Sequence, residues 1–349
     1  MNPFSLLNFL YVPHSGKEGE LFELTESTAY EHNSVILIPY QNPQTSKIQP
    51  RFFKTTNRQD YVPVMETVKA SDILIRARTS RNQYLENVIA LKQHIQRGNI
   101  YEINYCMEFY AENVSIDPFS IFQKLYDRSK APYSALLKMG DEFIICTSPE
   151  LFLKKEGDIL SSKPIKGTAK RGGSPEEDRN LKEQLHNSLK ERTENVMAVD
   201  VARNDLSILA QKGSVHVNEL YNIESFETVH QMVSTVSCRL KPGLSFSDII
   251  AATFPMASMT GAPKLRAMTL TDEFENFKRN YYSGTLGIVD EKNDFRLWVI
   301  IRSIFYNAKT KQLSIAVGSA ITYLSEPEKE YDECLLKAAA MLEVLNARL

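Results

Sequence analysis

Strand-like segments that follow one another across short turns are the feature of this sequence that most restricts its fold. Such runs occur around residues 134–138 and 142–147, and again over 281–289, 295–305 and the segment that ends at Val317. Parallel neighbours need a crossover of about a dozen residues or more, so strands joined by turns this short are antiparallel. The helical segments arrive in groups, which argues against a doubly wound parallel sheet and predicts an α+β fold.

Helix-boundary signals and side-chain periodicity place the remaining elements. Ser80 begins a capping-box pattern before a helical run that Gly98 ends. Odd-numbered residues are apolar over 101–109, which predicts a strand with one buried face. The other predicted helices run from Asp117 to about Ser129, from Ser174 with a break to Ala210, from Ser247 to Thr253, from Pro263 to about Phe274, and from about Pro327 to the end of the chain.

Length alone allows one large globular domain or two moderate ones, and the absence of a dividing linker favours one. The chain has 349 residues, 43% of them hydrophobic, and no repeat or Pro/Gly-rich linker divides it. That composition supplies enough apolar surface for a sizeable core, so disorder is excluded as the dominant state. We therefore expect a single domain over residues 1–349, with a shortened N-terminal region of short strands and loops over 1–75 and a core over 80–345.

Charge and cysteine usage exclude several function classes. The 41 basic and 43 acidic residues give a net charge of −2, which argues against a chain that mainly binds nucleic acid or anionic membranes. No run approaches the roughly eighteen apolar residues of a membrane helix, and the start lacks the basic region of a secretory signal. The four cysteines lack metal-clip or redox spacing, and no Walker or Gly-x-Gly-x-x-Gly motif supports nucleotide binding. The expectation is a soluble, cytoplasmic protein.

Two helical segments each carry glutamates three residues apart, Glu191 with Glu194 and Glu330 with Glu333. Residues at this spacing share a helix face. One interpretation is two solvated acidic faces, with Lys337 in an ordinary surface ion pair. The other is a shared pocket, in which four converging carboxylates need a hard cation, and Mg²⁺ is the usual one.

A lysine lies in a rigid turn, within the Pro-Ile-Lys-Gly-Thr segment at residues 164–168. On one interpretation Lys166 is an ordinary surface lysine. On the other it is buried, loses its proton to the crowding of nearby cations and becomes a nucleophile. The basic residues near it in sequence are Lys163, Lys170 and Arg171.

Three further polar sites have two interpretations each. Arg302 lies inside an apolar strand, so it either has a partner or binds an anion, because an unpaired buried charge is very costly. The segment from Thr260 to Lys264 is either a plain helix start or an anion site at a helix N-terminus. His230 is either a satisfied core histidine or a catalytic group.

Eight motifs occur in one order, and as a set they resemble the chorismate-utilising enzymes. The motifs are Ser-Pro-Glu at Glu150, Pro-Ile-Lys-Gly-Thr at Lys166, Glu191-x-x-Glu194 running into Val199 to Asp205, Thr228-Val229-His230, Phe254 to Lys264, Tyr282-Ser283-Gly284, Ile301-Arg302, and Glu330-x-x-Glu333-x-x-x-Lys337. The resemblance extends over residues 80–345. It implies two antiparallel sheets packed as a sandwich with surrounding helices, and an enzyme that acts on chorismate.

Within that family, Lys166 resembles the lysine of the aminodeoxychorismate synthases, where anthranilate synthases usually have alanine. The resemblance implies that chorismate and ammonia give 4-amino-4-deoxychorismate, in 4-aminobenzoate and folate synthesis, through a covalent Lys166 intermediate. The alternatives are an anthranilate synthase component I, which aminates C2 and releases pyruvate, and a non-catalytic relative that acts as a binding subunit.

The resemblance also implies roles for individual residues. Lys166 would be the nucleophile and Glu150 the general acid, and His230 would lie near the leaving group. The metal ligands would be Glu194 and Glu333 directly, with Glu191 and Glu330 acting through water or behind them. The substrate would be bound by Gly167, Thr168, Tyr282, Arg302, the backbone at Gly318, and Lys337.

Some features depart from the family pattern. Glu102 stands where isochorismate and salicylate synthases have lysine and where the aminating enzymes usually have glutamine, which disfavours the first two activities. Ala316-Val317-Gly318 replaces a more usual Gly-x-Gly. No clear Leu-Leu-Glu-Ser element supports tryptophan binding. No glutamine amidotransferase domain is found, so ammonia is expected from a separate amidotransferase subunit or from solution.

Overall fold

The computed structural model describes residues 5–14, 18–63 and 73–348. Parts of the predicted N-terminal region, residues 1–4, 15–17 and 64–72, lie outside the described residues. The helices of the described part are α1 (Arg81–Gln96), α2 (Pro118–Ser129), α3 (Pro175–Asn187), α4 (Leu189–Leu209), α5 (Phe246–Thr253), α6 (Lys264–Phe274) and α7 (Pro327–Val344). None of them is both long and apolar enough to cross a membrane.

The strands of the same part outnumber the helices. They are β1 (Asn8–Pro13), β2 (Gly19–Ser27), β3 (Ser34–Ile38), β4 (Arg51–Tyr61), β5 (Ile73–Leu74), β6 (Arg76–Ala77), β7 (Glu102–Ala111), β8 (Tyr133–Met139), β9 (Glu142–Ser148), β10 (Leu151–Glu156), β11 (Ile159–Ser162), β12 (Ile165–Lys170), β13 (His216–Ser225), β14 (Val229–Arg239), β15 (Gly261–Ala262), β16 (Thr285–Val289), β17 (Phe295–Val299), β18 (Ser303–Asn307), β19 (Gln312–Ile321) and β20 (Ala347–Arg348).

Eighteen strands are hydrogen-bonded into one sheet whose pairings are antiparallel, and β5 and β20 pair separately in parallel. From β7 the neighbours run through β19, β18, β9, β8 and β1, then through β2, β4, β3, β16 and β17, and finally through β10 and β11 to β14. The predicted α+β class with antiparallel pairing is confirmed. The N-terminal region contributes β1 to β4 to this sheet.

One buried cluster shows that the continuous sheet packs against itself in two layers. Its apolar side chains come from β1, β8 and β9 and from β3, β16 and β17, and they include Leu10, Leu137, Ile144, Val35, Leu286 and Trp298. Alternate residues of a strand point to opposite faces, so each layer contributes one face to this cluster. The predicted sandwich is therefore present, although its layers belong to one hydrogen-bonded sheet rather than to two.

The predicted helices are confirmed, and one predicted cap is wrong. The hydroxyl of Ser80 accepts a hydrogen bond from the Gln83 amide at the start of α1, at 3.2 Å. At α5 the predicted cap was Ser247, but the structure uses Ser245. Asp248 lies three residues after Ser245, so the two residues cap each other reciprocally and fix the helix start earlier.

The strand predicted over residues 295–305 is interrupted. β17 ends at Val299 and β18 begins at Ser303, and Arg302 between them has a φ of 51°, in the left-handed region that strands do not use. β17 pairs with β10 and β16, whereas β18 pairs with β9 and β19, so the chain changes neighbours at this break. The interruption leaves Arg302 outside both ladders.

Strand β7 is buried on both faces, whereas the sequence predicted only one. The odd-numbered residues Ile103, Tyr105 and Met107 belong to the largest apolar core, as expected from their alternation. The even-numbered Glu102 and Asn104 are also buried, at 3% and 6% exposed. A polar face usually points to water, but here it is covered by other parts of the chain and forms one wall of the site.

Candidate active site

Lys166 on β12 is buried and paired with the first residue of β7. Its Nζ lies 2.5 Å from Glu102 Oε1, and the two side chains are 9% and 4% exposed. Burial alone would lower the pKa of Lys166, but the carboxylates of Glu102, Glu194 and Glu150 outweigh it and raise that pKa. Of the two interpretations drawn from the sequence, burial is therefore found, but the neighbouring carboxylates favour the ammonium form of Lys166 rather than the free amine.

Two of the cations near Lys166 in sequence have carboxylate partners of their own. Lys163 Nζ lies 3.3 Å from Glu224 Oε1, and Arg171 Nε lies 2.8 Å from Asp178 Oδ1. Lys170, the third, is exposed, and the charges that act on Lys166 come from carboxylates distant in the chain. The identity of Glu102, unexplained from the sequence alone, has a physical account here, since its carboxylate balances the Lys166 charge.

The position of Gly167, directly after Lys166, favours glycine, because of its backbone conformation and because a carboxylate lies close to it. Its φ is 87°, and a Cβ added there would lie 2.8 Å from Glu191 Oε2 on α4. The positive φ and the close approach both favour glycine. The same approach brings α4 against β12, so Glu191 lies beside the Lys166 turn, whereas the Thr168 side chain is exposed.

Glu150 lies in the turn between β9 and β10 and is 4% exposed. Its backbone is fixed by a hydrogen bond from its amide to Ser148 Oγ, at 3.2 Å, and by one from the Val299 amide to its carbonyl, at 3.0 Å. Burial raises the pKa of Glu150 to about 7, although the Ser258 hydroxyl and the Lys166 ammonium favour the ionised form. A carboxyl group with this pKa can carry a proton near neutral pH, as a general acid requires.

The two predicted glutamate pairs are brought together by a lysine between α4 and α7. Lys190 Nζ lies 3.3 Å from Glu330 Oε1, 3.8 Å from Glu194 Oε1 and 3.9 Å from Glu333 Oε2. Glu194 and Glu330 are buried, with side chains 8% and 2% exposed. The interpretation as two unrelated, solvated acidic faces is therefore wrong for these residues.

Two buried carboxylate oxygens of this cluster, Glu194 Oε1 and Glu330 Oε2, have no hydrogen-bond partner. Burial raises the pKa of Glu194 to about 8, and it also raises the pKa of Glu191. Burial would also raise the pKa of Glu333, but the charge and the hydrogen bond of Lys337 outweigh burial and lower the pKa of Glu333. Within residues 5–14, 18–63 and 73–348, no three acidic, histidine or cysteine side chains are arranged to hold a metal ion as they stand.

Lys337 links this cluster to β19. Its Nζ donates to the Gly318 carbonyl at 2.8 Å and lies 2.7 Å from Glu333 Oε1. A Cβ added at Gly318 would lie 2.6 Å from Cys106 Sγ on β7, so only glycine fits between the two strands at this point. Lys337 is therefore held at the edge of the same polar region.

Arg302 and Tyr282 lie near each other, close enough to Glu333 for its charge to act on Arg302. Burial lowers the pKa of Arg302, while Tyr282 and Glu333 act in the opposite direction. The guanidinium of Arg302 has no carboxylate within ion-pair distance in the described part of the chain. Of the two alternatives drawn from the sequence, a protein partner or a bound anion, the structure supplies no ion-pair partner and so favours the anion.

His230 has protein partners on both ring nitrogens. Nε2 lies 3.0 Å from Asp178 Oδ1 on α3, and Nδ1 lies 2.9 Å from Ser225 Oγ. The side chain is 1% exposed. This arrangement is that of a satisfied core histidine, and neither ring nitrogen is free for a substrate. The next residue, Gln231, is buried, with an amide oxygen that has no partner.

Lys264 is also satisfied within the protein. Its Nζ lies 2.5 Å from Asp205 Oδ2 and donates to the Thr253 carbonyl at 3.0 Å. The segment from Thr260 therefore begins α6 and ties it to α4. Because its one lysine is engaged in a buried ion pair, this segment matches the plain helix start rather than an anion site.

Two functional candidates were missed from the sequence, namely the pairing of Glu102 with Lys166 and the position of Lys190. Glu102 and Lys166 lie 64 residues apart and Lys190 lies 140 residues from Glu330, so no local spacing could reveal these two pairs. The one available signal for Glu102 was an acidic residue at the start of an otherwise apolar strand. For Lys190 the local signal was its position four residues before Glu194, a spacing that allows an ion pair on a helix.

A family model described as chorismate binding enzyme matches residues 14–343. The chain belongs to the chorismate-binding enzyme family. Among curated proteins it is 41% identical over 270 residues to a probable aminodeoxychorismate synthase, chloroplastic, of Oryza sativa subsp. japonica, covering 76% of this chain and 30% of that protein. It is 37% identical over 263 residues to aminodeoxychorismate synthase component 1 of Bacillus subtilis, covering 75% of this chain and 55% of that one.

A relative with a different printed activity is also similar. Anthranilate synthase component 1 1 of Haloarcula marismortui is 34% identical over 287 residues, covering 82% of this chain and 58% of that protein. The chain thus spans between 30% and 58% of the length of these three relatives. Anthranilate synthase component I from Streptococcus pneumoniae shares the chorismate-binding enzyme fold, with a TM-score of 0.78 at 23% identity, over 90% of this chain and 82% of that one.

Proposed function

We propose that this chorismate-binding enzyme aminates chorismate at C4, as an aminodeoxychorismate synthase component 1. The observation that carries the proposal is Lys166 of the Pro-Ile-Lys-Gly-Thr segment, which is buried against Glu102 and feels the charges of Glu194 and Glu150. Alanine is usual at this position in the anthranilate synthases that the chain resembles. The names of the Oryza and Bacillus relatives support the same assignment.

The first step requires a neutral amine at Lys166. Glu102 Oε1, 2.5 Å from Nζ, is positioned to accept the ammonium proton. The nitrogen then bonds to C2 of chorismate, both ring double bonds shift by one position, and the C4–oxygen bond breaks. Glu150 donates its proton to the departing hydroxyl, which leaves as water.

The second step reverses the displacement. Ammonia bonds to C4, both double bonds shift back, and the C2–nitrogen bond to Lys166 breaks, so that the lysine recovers its electron pair. The ammonium formed at C4 gives one proton back to Glu150, and Glu102 returns its proton to Lys166. Overall, chorismate and ammonia give 4-amino-4-deoxychorismate and water. Covalent catalysis of this kind divides one difficult displacement into two easier ones.

The charged groups around the site would bind the two carboxylates of the substrate. Arg302, which has no ion-pair partner in the described residues, would bind the enolpyruvyl carboxylate together with Tyr282 and the backbone at Gly318. Thr168 and Lys337 would face the ring carboxylate. Fixed donors that neutralise a dianion before reaction are commonly the largest single contribution to catalysis.

The acidic cluster fits a hard divalent cation such as Mg²⁺. All four donors are carboxylates, which are ligands that Mg²⁺ prefers. Two of their buried oxygens, Glu194 Oε1 and Glu330 Oε2, accept no hydrogen bond. Glu194 and Glu333 would be direct ligands, with Glu191 and Glu330 acting through water. When bound, Mg²⁺ would neutralise the ring carboxylate of the substrate.

Ammonia would come from a separate glutamine amidotransferase subunit, as the component 1 name of the Bacillus relative suggests, or from solution. The second candidate function is an anthranilate synthase component I, which the Haloarcula relative favours. The third is a non-catalytic binding subunit.

Product analysis separates the three functions. The chain is incubated with chorismate, ammonium and Mg²⁺, with and without an aminodeoxychorismate lyase. We expect 4-aminobenzoate only when the lyase is present, and intact-mass spectrometry during turnover should detect an adduct on the peptide that contains Lys166. Direct anthranilate fluorescence without lyase would assign the second function, and unchanged chorismate in both reactions would leave the third.

A further inference from the structure

Lys190 lies within 4 Å of three of the four clustered glutamates, whereas Lys337, the other cation of the cluster, contacts only Glu333 among them. The contacts of Lys190 to Glu330, Glu194 and Glu333 span 3.3 to 3.9 Å. Charge-assisted hydrogen bonds between nitrogen and oxygen are usually about 2.7–2.9 Å long. The ammonium is therefore shared among three carboxylates and tightly bound to none of them.

The position of Lys190 in the helix lets it leave the cluster. It is the second residue of α4 and its side chain is 40% exposed, while the preceding Leu189 is 75% exposed. A lysine carries its charge on a flexible stem, so the ammonium can move into water while the helix stays in place. The buried Glu194 and Glu330 cannot move out in the same way.

We propose that Lys190 is an internal counter-cation that holds the place of the metal ion, and that a divalent cation displaces it into solvent on binding. This inference rests on the proposed metal site and deepens it. In the absence of metal, the single charge of Lys190 offsets part of the mutual repulsion of the glutamates. Two buried carboxylate oxygens, Glu194 Oε1 and Glu330 Oε2, still accept no hydrogen bond. The chain would therefore bind Mg²⁺ more weakly than the carboxylates alone would allow.

Calorimetry on the full chain with MgCl₂ alone, without chorismate, tests the proposal. We expect Lys190→Met to bind Mg²⁺ about tenfold more tightly than the parent chain, the scale of a modest coupling between two competing ligands. The matched control is Lys329→Met on α7, because Lys329 pairs with the exposed Glu326 and lies outside the cluster. That control should bind Mg²⁺ like the parent.

Acylation of lysines, followed by mass spectrometry, gives a second measurement on the unmodified sequence. Lys190 should be labelled several-fold faster when MgCl₂ is added, and Lys329 should not change. Equal Mg²⁺ affinities in the parent and Lys190→Met, with unchanged Lys190 labelling, would overturn the displacement and leave the metal site standing. Absence of Mg²⁺ binding in every protein would instead overturn the metal site, and this inference with it.

Discussion

Lys166 and Lys190 both lie among carboxylates, yet their surroundings differ. Lys166 is 9% exposed and lies 2.5 Å from one oxygen of Glu102, whereas Lys190 is 40% exposed and lies at least 3.3 Å from the oxygens of three glutamates. Breaking a buried pair leaves an uncompensated charge at high cost, while a partly hydrated ion pair exchanges partners at little cost. The same residue type can thus be fixed for chemistry in one place and exchangeable in another.

Removing the fixed lysine should have the largest effect. In Lys166→Ala the nucleophile is lost, and we expect C4 amination to fall by about 10³-fold or more, a loss typical of groups that take part directly in the reaction. The lyase-coupled assay for 4-aminobenzoate measures it. Lys163→Ala is the control, because Lys163 pairs with Glu224 and should retain near-normal activity. Unchanged C4 amination in Lys166→Ala would remove the nucleophile from the mechanism, whereas a shift towards anthranilate would support it.

Glu150→Gln should produce the next largest loss. General acids commonly contribute about 10²–10⁴-fold, and glutamine cannot donate a proton to the departing hydroxyl. The pKa of Glu150 is about 7, so the donating form predominates below that value and turnover of the parent should fall as pH rises through it. The pH dependence of kcat measures this decline, which should be absent from the residual activity of the variant. A decline near pH 7 that persists in Glu150→Gln would assign it to another group.

Glu102→Gln asks whether the carboxylate partner is what keeps Lys166 charged. Burial lowers the pKa of Lys166 and the charge of Glu102 raises it, so removing that charge should give a lower pKa than in the parent. We expect acylation of Lys166 to begin at lower pH in the variant, as measured by mass spectrometry of the labelled peptide. Lys190 serves as an internal control, since its carboxylate neighbours are unchanged. Coincident labelling curves for Lys166 would show that Glu102 does not hold its proton.

Gly167→Ala should have the smallest effect, mainly on stability. A non-glycine residue at a φ of 87° is strained by about 1–3 kcal/mol, and the added Cβ would also approach Glu191 Oε2 at 2.8 Å. Gly98→Ala is the matched control, with a φ of 74° but no atom within 4 Å of the added Cβ. Urea unfolding should show the larger loss for Gly167→Ala. Equal losses would mean that α4 yields to the new methyl group.

Local signals were sufficient to predict most helices and strands. Ser80, Asp117 and Ser174 cap helices where the sequence placed them, because a cap and the amides it satisfies lie within one turn. The Ser247 error has the same local origin, since two serines competed and the position of Asp248 decided between them. The break before Arg302 was not predictable, because an apolar run does not specify where a strand changes neighbours.

The site was predictable in its residue types and not in its pairings. Spacing placed each glutamate pair on one helix face, but it could not show that α4 and α7 meet through Lys190. The sequence left the charge state of Lys166 open because Glu102, the partner that favours its ammonium form, is distant in the chain. Electrostatics depends on such distant neighbours, whereas helix capping does not.

Strand β7 carries core residues on one face and Glu102 on the other, and this limits how the gene can vary. Loss or gain of one codon within the strand would exchange the two sets, placing isoleucine or tyrosine against Lys166 and carboxylate or amide groups against the apolar core. Single-nucleotide replacements can adjust either face independently. In-frame insertions and deletions within β7 should therefore abolish folding or activity, even where the adjoining loops tolerate them.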